Sequence, residues 1–95
     1  MCAVNKKPGK VQLGRIFVTP RALKKVDPLD VLRAIKRHES GDWGNLKQHD
    51  RKANDMALEC GRRVLSRYKS SNGTTFWIIT EYDRSATTVM LPNDY

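Results

Sequence analysis

The stretch RRVLSRYKSSNGTTFWIITE, residues 62–81, decides the fold. Both of its halves, Arg62 to Tyr68 and Thr74 to Glu81, are rich in the β-branched and aromatic residues that suit a pleated, half-buried surface. Between them stands Asn72-Gly73, a pair that takes the positive φ angles of a tight hairpin turn at low cost. The stretch therefore reads as two antiparallel strands. Downstream, Asp83-Arg84-Ser85 makes a second tight connection into Thr87 to Leu91, and Pro92, which cannot donate to a ladder, ends that third strand.

Upstream of Gly61 the pattern changes to that of helices. Ala53, Met56, Ala57 and Cys60 recur at i, i+3, i+4 and i+7, which predicts a helix from about Leu46 or Lys47 to Cys60 with that apolar face buried. Gly61 follows as a residue free to turn left-handed. Ser40-Gly41-Asp42-Trp43-Gly44 reads as a turn, and before it a helix starts at Asp27-Pro28 and stops near His38. Asp27 can cap it, Pro28 has no N–H to leave unpaired, and Asp30 suits the positive end of the helix dipole. Leu29, Val31, Leu32 and Ile35 form the expected buried stripe, with Arg33, Lys36 and Arg37 elsewhere on the surface. Thr19-Pro20 signals a shorter helix in the same way. Val11 to Val18 supplies a first strand, with Ile16 and Val18 on one face and Phe17 on the other. The expected architecture is α+β, in the order β-α-α-α-β-β-β: a small antiparallel sheet with helices packed on one face. It spans residues 11–95 as one domain, and residues 1–10 form a flexible basic arm.

Composition bounds the rest. Ninety-five residues suffice for one core, and 39% hydrophobic with 29% charged residues is a globular balance. The longest apolar runs, Ile16 to Val18 and Phe76 to Ile79, fall far short of the roughly 20 residues that span a bilayer. No apolar segment follows the first charges, so a secretory signal is not expected, and a cytoplasmic bacterial protein is. Cys2 and Cys60 are the only cysteines, without a CxxC pair, which argues against structural zinc or a disulfide framework. Cys60 is expected as a free buried thiol in a reducing compartment.

The chain carries 18 basic and 10 acidic residues, net +8. Residues 1–37 hold ten Lys/Arg against Asp27 and Asp30, whereas the remainder balances. The excess thus lies in the N-terminal third, and a field of that sign gathers polyanions, nucleic acid above all. Lys6, Lys7, Lys10, Arg33, Lys36 and Arg37 are the candidate phosphate contacts. Trp43, between two glycines of a loop, either covers the core edge or stacks on a base; Trp77, mid-strand, reads as a packing residue. No helix-turn-helix, RNP, KH or zinc-finger pattern supports base-specific readout.

Further blocks stand out: Gly14-Arg15-Ile16 with Thr19-Pro20, Arg37 to Gly44, Asp50 with Asn54, Gly61 to Tyr68, Trp77 to Thr88, and Leu91-Pro92. Through them the chain, from residue 14 on, resembles a family of small bacterial proteins of about this length. These are carried on plasmids and integrated elements and often mislabelled as restriction-system subunits. The resemblance implies a mobile-element setting and brings no activity with it. Nucleic-acid handling, toxin action and evasion of host defence all fit that setting.

Three kinds of chemistry are open to the polar residues of these blocks. His38, Asp42, His49 and Asp50, or Asp50 with Glu81 and Asp83, offer metal ligands, but their spacing matches no recurring site, and no metal or other cofactor is expected. Metal-independent RNA cleavage needs a base, an acid and a cation, for which His38, Glu81 and Arg84 are the right types, with Ser66, Tyr68 or Thr88 as strand-borne donors. The order of elements is similar to that of small toxin-like RNases, an analogy of fold alone. Nucleophilic catalysis has no support, since GxSxG is absent and Cys60 lacks an evident histidine partner. The preferred expectation is an accessory protein of a mobile element that binds nucleic acid or a host nucleoprotein through its basic N-terminal region. A small endoribonuclease comes second, and a protein-binding inhibitor of a host defence system third.

Overall fold

A computed structural model describes residues 11–95. The arm expected over residues 1–10, with Lys6, Lys7 and Lys10, lies outside the described residues. The elements run β1 (Arg15–Val18), α1 (Pro20–Lys25), α2 (Pro28–Glu39), α3 (Gln48–Cys60), β2 (Val64–Lys69), β3 (Thr75–Thr80) and β4 (Ala86–Met90), followed by a 3-10 turn at Pro92–Asp94. The fold is α+β, in the order read from the sequence. The sheet, however, is mixed rather than purely antiparallel. Its strand order is β1-β4-β3-β2, and β1 lies parallel to β4. No hairpin ties β1 to a neighbour. It reaches the sheet by way of three helices, and its Arg15 and Thr19 N–H groups donate to the carbonyls of Ser85 and Val89.

The helix starts follow their signals. The Thr19 hydroxyl accepts from the Ala22 N–H at 3.2 Å and the Asp27 carboxylate from the Leu29 N–H at 2.8 Å, each with proline in the first turn. Gly61 closes α3 at φ 69°. The β2–β3 hairpin forms, but its loop is longer than the Asn72-Gly73 pair, since Lys69 faces Thr75 across the ladder. Two loop residues are used elsewhere: Asn72 donates to the Lys25 carbonyl at 3.0 Å, and Ser71 donates from N–H and hydroxyl to Asp30. The turn is thereby docked onto α1 and α2.

Strand register sorts the sheet into two faces. Val64, Ser66, Tyr68, Phe76, Ile78, Thr80, Thr87 and Val89 are buried on the inner face, under the helices. There, Ala22, Val26, Val31, Ala34, Tyr68, Phe76, Ile78, Val89 and Leu91 form the larger core cluster. Val11, Trp43, Leu46, Ala57 and Val64 form the second. The outer face, with Arg15, Phe17, Leu65, Arg67, Lys69, Thr75, Trp77, Ile79, Thr88 and Met90, contributes to neither cluster.

Two helix faces differ from expectation. On α2, Leu29 and Leu32 are each 59% exposed, and the buried stripe is Val31, Ala34 and His38, with Ile35 packed against it. This stripe also has i, i+3, i+4, i+7 spacing, and the helix is turned towards it because the sheet offers His38 hydrogen-bond partners. On α3, Ala53 and Met56 are exposed, and Asn54 and Ala57 are buried, with Leu58 packed alongside. Cys60 is half-buried and is not a free thiol, so the thiol argument for a reducing compartment has no footing.

The free side of β2 is closed by non-strand groups. Asn54 pairs with Leu65 in both directions, donating to its carbonyl and accepting from its N–H at 3.1 Å. One step along, Arg67 donates to the Trp43 carbonyl and accepts from the Asn45 N–H. Gly44 makes that approach possible: its φ is +72°, and a Cβ there would lie 2.1 Å from the Arg67 carbonyl oxygen.

Candidate functional site

The residues singled out for catalysis take three different situations. His38, at the end of α2, is fully buried and lies edge-on to Trp43 at 5.6 Å. Its Nδ1 is 2.5 Å from the Ser66 hydroxyl on β2 and its Nε2 2.8 Å from the Thr80 hydroxyl on β3. Thr80 in turn is 2.7 Å from the Thr87 hydroxyl on β4, which is 2.7 Å from the Leu13 carbonyl.

The end of this chain fixes its direction. A carbonyl only accepts, so Thr87 directs its one hydrogen to Leu13. Thr80 must then donate to Thr87, and His38 Nε2–H must donate to Thr80. Nδ1 is left to accept from Ser66. His38 is thus a neutral imidazole protonated on Nε2. Burial, with the nearby positive charge of Arg84 adding to it, pushes the His38 pKa down to about 4. The network stitches α2, three strands and the segment before β1 together, and every member has a partner. With no exposed ring atom and a terminus on a backbone carbonyl, it offers no base to a substrate outside.

Arg84 occupies the β3–β4 turn at φ 60°. Its guanidinium donates to the carbonyls of Arg62 at 2.6 Å, Glu81 at 3.0 Å, Ala57 at 3.3 Å and Leu58 at 3.5 Å. A cation is thereby set on the carbonyl end of α3, where the helix dipole favours it. These four contacts hold a left-handed backbone that a non-glycine residue adopts only at a cost. Glu81 is exposed, and the contacts to Arg84 use its backbone carbonyl. His38, Glu81 and Arg84 therefore do not converge on a solvent-facing pocket. Of the strand-borne donors, Ser66 belongs to the buried network. Tyr68 donates to the Asp42 carbonyl at 2.6 Å, and Thr88 lies on the opposite face of the sheet from His38.

The acidic candidates shape turns. The Asp42 carboxylate accepts from the Gly44 N–H at 3.1 Å and from Arg37, and the Asp83 carboxylate accepts from the Ser85 N–H at 3.0 Å. These donors hold both acids below the ordinary carboxylate range, led by Arg37 at Asp42 and by Ser85 at Asp83. His49 and Asp50 are exposed in the first turn of α3. Among the described residues no three His, Cys, Asp or Glu side chains are grouped so as to hold a metal ion.

The binding candidates divide as well. Trp43 is only 4% exposed, and its indole N–H donates to Asp55 at 2.8 Å, so it packs in the core and presents no face to a base. That corrects its place among the nucleic-acid contacts. Arg37 is held by both Asp42 oxygens, at 2.8 and 3.3 Å, and lies over the Tyr68 ring. Arg33 and Lys36 remain exposed on α2.

A different surface gathers aromatic and basic groups. On the outer face of the sheet, Phe17 is 51% and Tyr95 65% exposed, while Trp77 is half-buried. The Tyr95 ring lies 5.9 Å from Trp77, edge to face, and the Arg63 guanidinium sits 5.3 Å above the Tyr95 centroid. Arg67 faces Trp77 across the β2–β3 ladder, and Arg15 and Lys69 are exposed on the two edge strands. Strand parity was the available signal for this surface: every second residue of the predicted strands belongs to it. The excess of charge in the N-terminal third points elsewhere.

Compared with protein-family models, curated proteins and solved structures, the chain matches none. Among the described residues no helix is long and apolar enough to cross a membrane.

Proposed function

We propose that the protein binds single-stranded nucleic acid across the outer face of its sheet, as an accessory protein of a mobile element, the setting that the sequence resemblance implies. One observation carries the reading: Phe17, Trp77 and Tyr95 share a face with Arg15, Arg63, Arg67 and Lys69. Among the described residues neither core cluster includes a residue of that face, although Ile79 at its middle is only 3% exposed. A sheet surface of this kind suits a single strand, because unpaired bases stack on exposed rings while flanking cations meet the phosphates. A duplex hides its base faces and gains little from the rings. Stacking does not discriminate among bases, in keeping with the absence of a base-reading motif.

Trp77→Ala is the deciding substitution. Stacking is worth about 1–3 kcal/mol per base, so the variant should bind a short oligothymidylate about 5- to 150-fold more weakly than the natural chain. The wild-type protein should also prefer that strand to a duplex of equal length. Unchanged affinity for the strand in both Trp77→Ala and Phe17→Ala, or equal binding of the duplex, would overturn the reading.

A further inference from the structure

A cleft of about 440 Å³ opens where α1, the β2–β3 loop and the segment after β4 meet. Arg21 and Lys25 line it from α1, Thr74 and Thr75 from the hairpin, and Asn93 from the C-terminal turn, with Leu91 contributing apolar surface. We infer that this cleft is a phosphate-binding subsite, which takes a phosphate of the strand proposed above to lie on the sheet; in that respect it rests on the proposed function.

The donor set points to the ligand. Arg21 and Lys25 stand four residues apart on one helix and so lie on the same side of it. A guanidinium fork, an ammonium, two hydroxyls and a carboxamide together match an anion with several oxygens far better than a single carboxylate or a halide. No acidic residue lines the cleft. Asp94 stands beside it and pairs with Arg21 through Oδ1 at 3.8 Å, a distance that leaves guanidinium N–H groups for a further anion, while its Oδ2 accepts from the Thr19 hydroxyl and the Leu91 N–H. Among the described residues Lys25 has no ion-pair partner, so the cleft keeps an uncompensated positive charge.

Position links the cleft to the sheet face. Thr75 is the first residue of β3 and belongs to the outer face, two residues from Trp77. Along a strand that separation is about 6.6 Å, close to the span of one nucleotide. The volume is in the range of a small-molecule pocket, larger than a bare phosphate requires. A phosphate held by Arg21 and Lys25 can therefore carry its sugar in the same cleft and direct the neighbouring base towards Trp77.

The test is titration of the ¹⁵N-labelled full chain, followed by amide shifts, with inorganic phosphate, with an oligothymidylate, and with the same oligomer phosphorylated at its 5′ end. Inorganic phosphate should shift the Thr74, Thr75 and Asn93 amides saturably, where chloride at matched ionic strength does not. Arg21→Gln with Lys25→Gln should weaken that binding about tenfold or more. The double variant should also lower the salt dependence of oligomer binding by about 0.7 for each phosphate it no longer neutralises. Both side chains are exposed, and retained circular dichroism would show the variant folded. Trp77→Ala should leave the inorganic phosphate shifts intact. Absence of those shifts, or shifts insensitive to the double variant, would overturn the subsite, while oligomer binding lost in Trp77→Ala would leave the sheet-face reading standing. Phosphate bound in the cleft by a protein that binds neither oligomer would overturn the strand as its source. A phosphorylated oligomer bound more tightly than its unphosphorylated form would identify the strand's end as the occupant; equal affinity with cleft shifts would identify an internal phosphate.

Discussion

His38 illustrates how one buried polar side chain sets both stability and its pH dependence. Its pKa is near 4 in the folded chain and 6.5 in the unfolded one, so between those values the unfolded state binds more protons. Stability from this residue is complete above pH 6.5, falls as the pH drops, and is lost by about pH 4, a difference of about 3 kcal/mol. Urea unfolding at pH 7 and pH 5 should show most of that decline, since the Asp carboxylates with lowered pKa lose their contributions only at more acid pH. Imidazole ¹⁵N shifts at pH 6 should find hydrogen on Nε2. Thr87→Val would leave the Leu13 carbonyl without its donor and the Thr80 hydroxyl hydrogen without its acceptor, and should cost about 1–3 kcal/mol in the same unfolding measurement. The sequence placed His38 at its helix end but not inside the core. A histidine counts as a core residue only when donors and acceptors wait for it, and those came from β2 and β3, remote in sequence.

At the scale of elements, helix starts, helix stops and the hairpin were legible because each depends on a local signal: Thr19-Pro20, Asp27-Pro28, Gly61, Asn72-Gly73. Helix rotation was not. The α2 and α3 stripes each contain a polar member, His38 and Asn54, and an apolar template passes over both in favour of Leu29, Leu32 and Met56. The partner of β1 was equally hidden, because nothing local chooses between parallel and antiparallel docking after a helical crossover. The two sheet edges that result are unlike. On β2, Asn54 and the Trp43–Asn45 backbone occupy Leu65 and Arg67, whereas on β1 the Ile16 and Val18 N–H groups alternate away from β4 and meet no further strand among the described residues. Hydrogen exchange should find the Arg67 amide protected and those of Ile16 and Val18 fast. Asn54→Ala should release the Leu65 amide and lower stability by about 1–3 kcal/mol. The brevity of β1, with Arg15 at one end and Pro20 beyond the other, limits pairing between molecules at its open edge.

For the whole molecule, the candidate surface was legible only in its chemistry. The sequence supplied a cationic chain and two tryptophans, but which tryptophan faces outward depends on packing: Trp43 fills the second core cluster, and Trp77 lies half-buried on the outer face of the sheet. Under the proposed function, oligomer affinity should fall with salt on a logarithmic slope of about −0.7 for each phosphate neutralised. Arg67→Gln with Lys69→Gln should flatten that slope, and Arg33→Gln with Lys36→Gln on the helical side should leave it nearly unchanged. The opposite ranking would move the interface to α2. The parallel docking of β1 on β4 carries a further consequence, for biosynthesis. Arg15 and Ala86, paired neighbours in the sheet, are separated by most of the chain. During synthesis β1 finds no mate in the sheet until β4 has been made. Closure of the sheet is therefore an event of high contact order, and fragments that end before β4 should remain open to proteolysis.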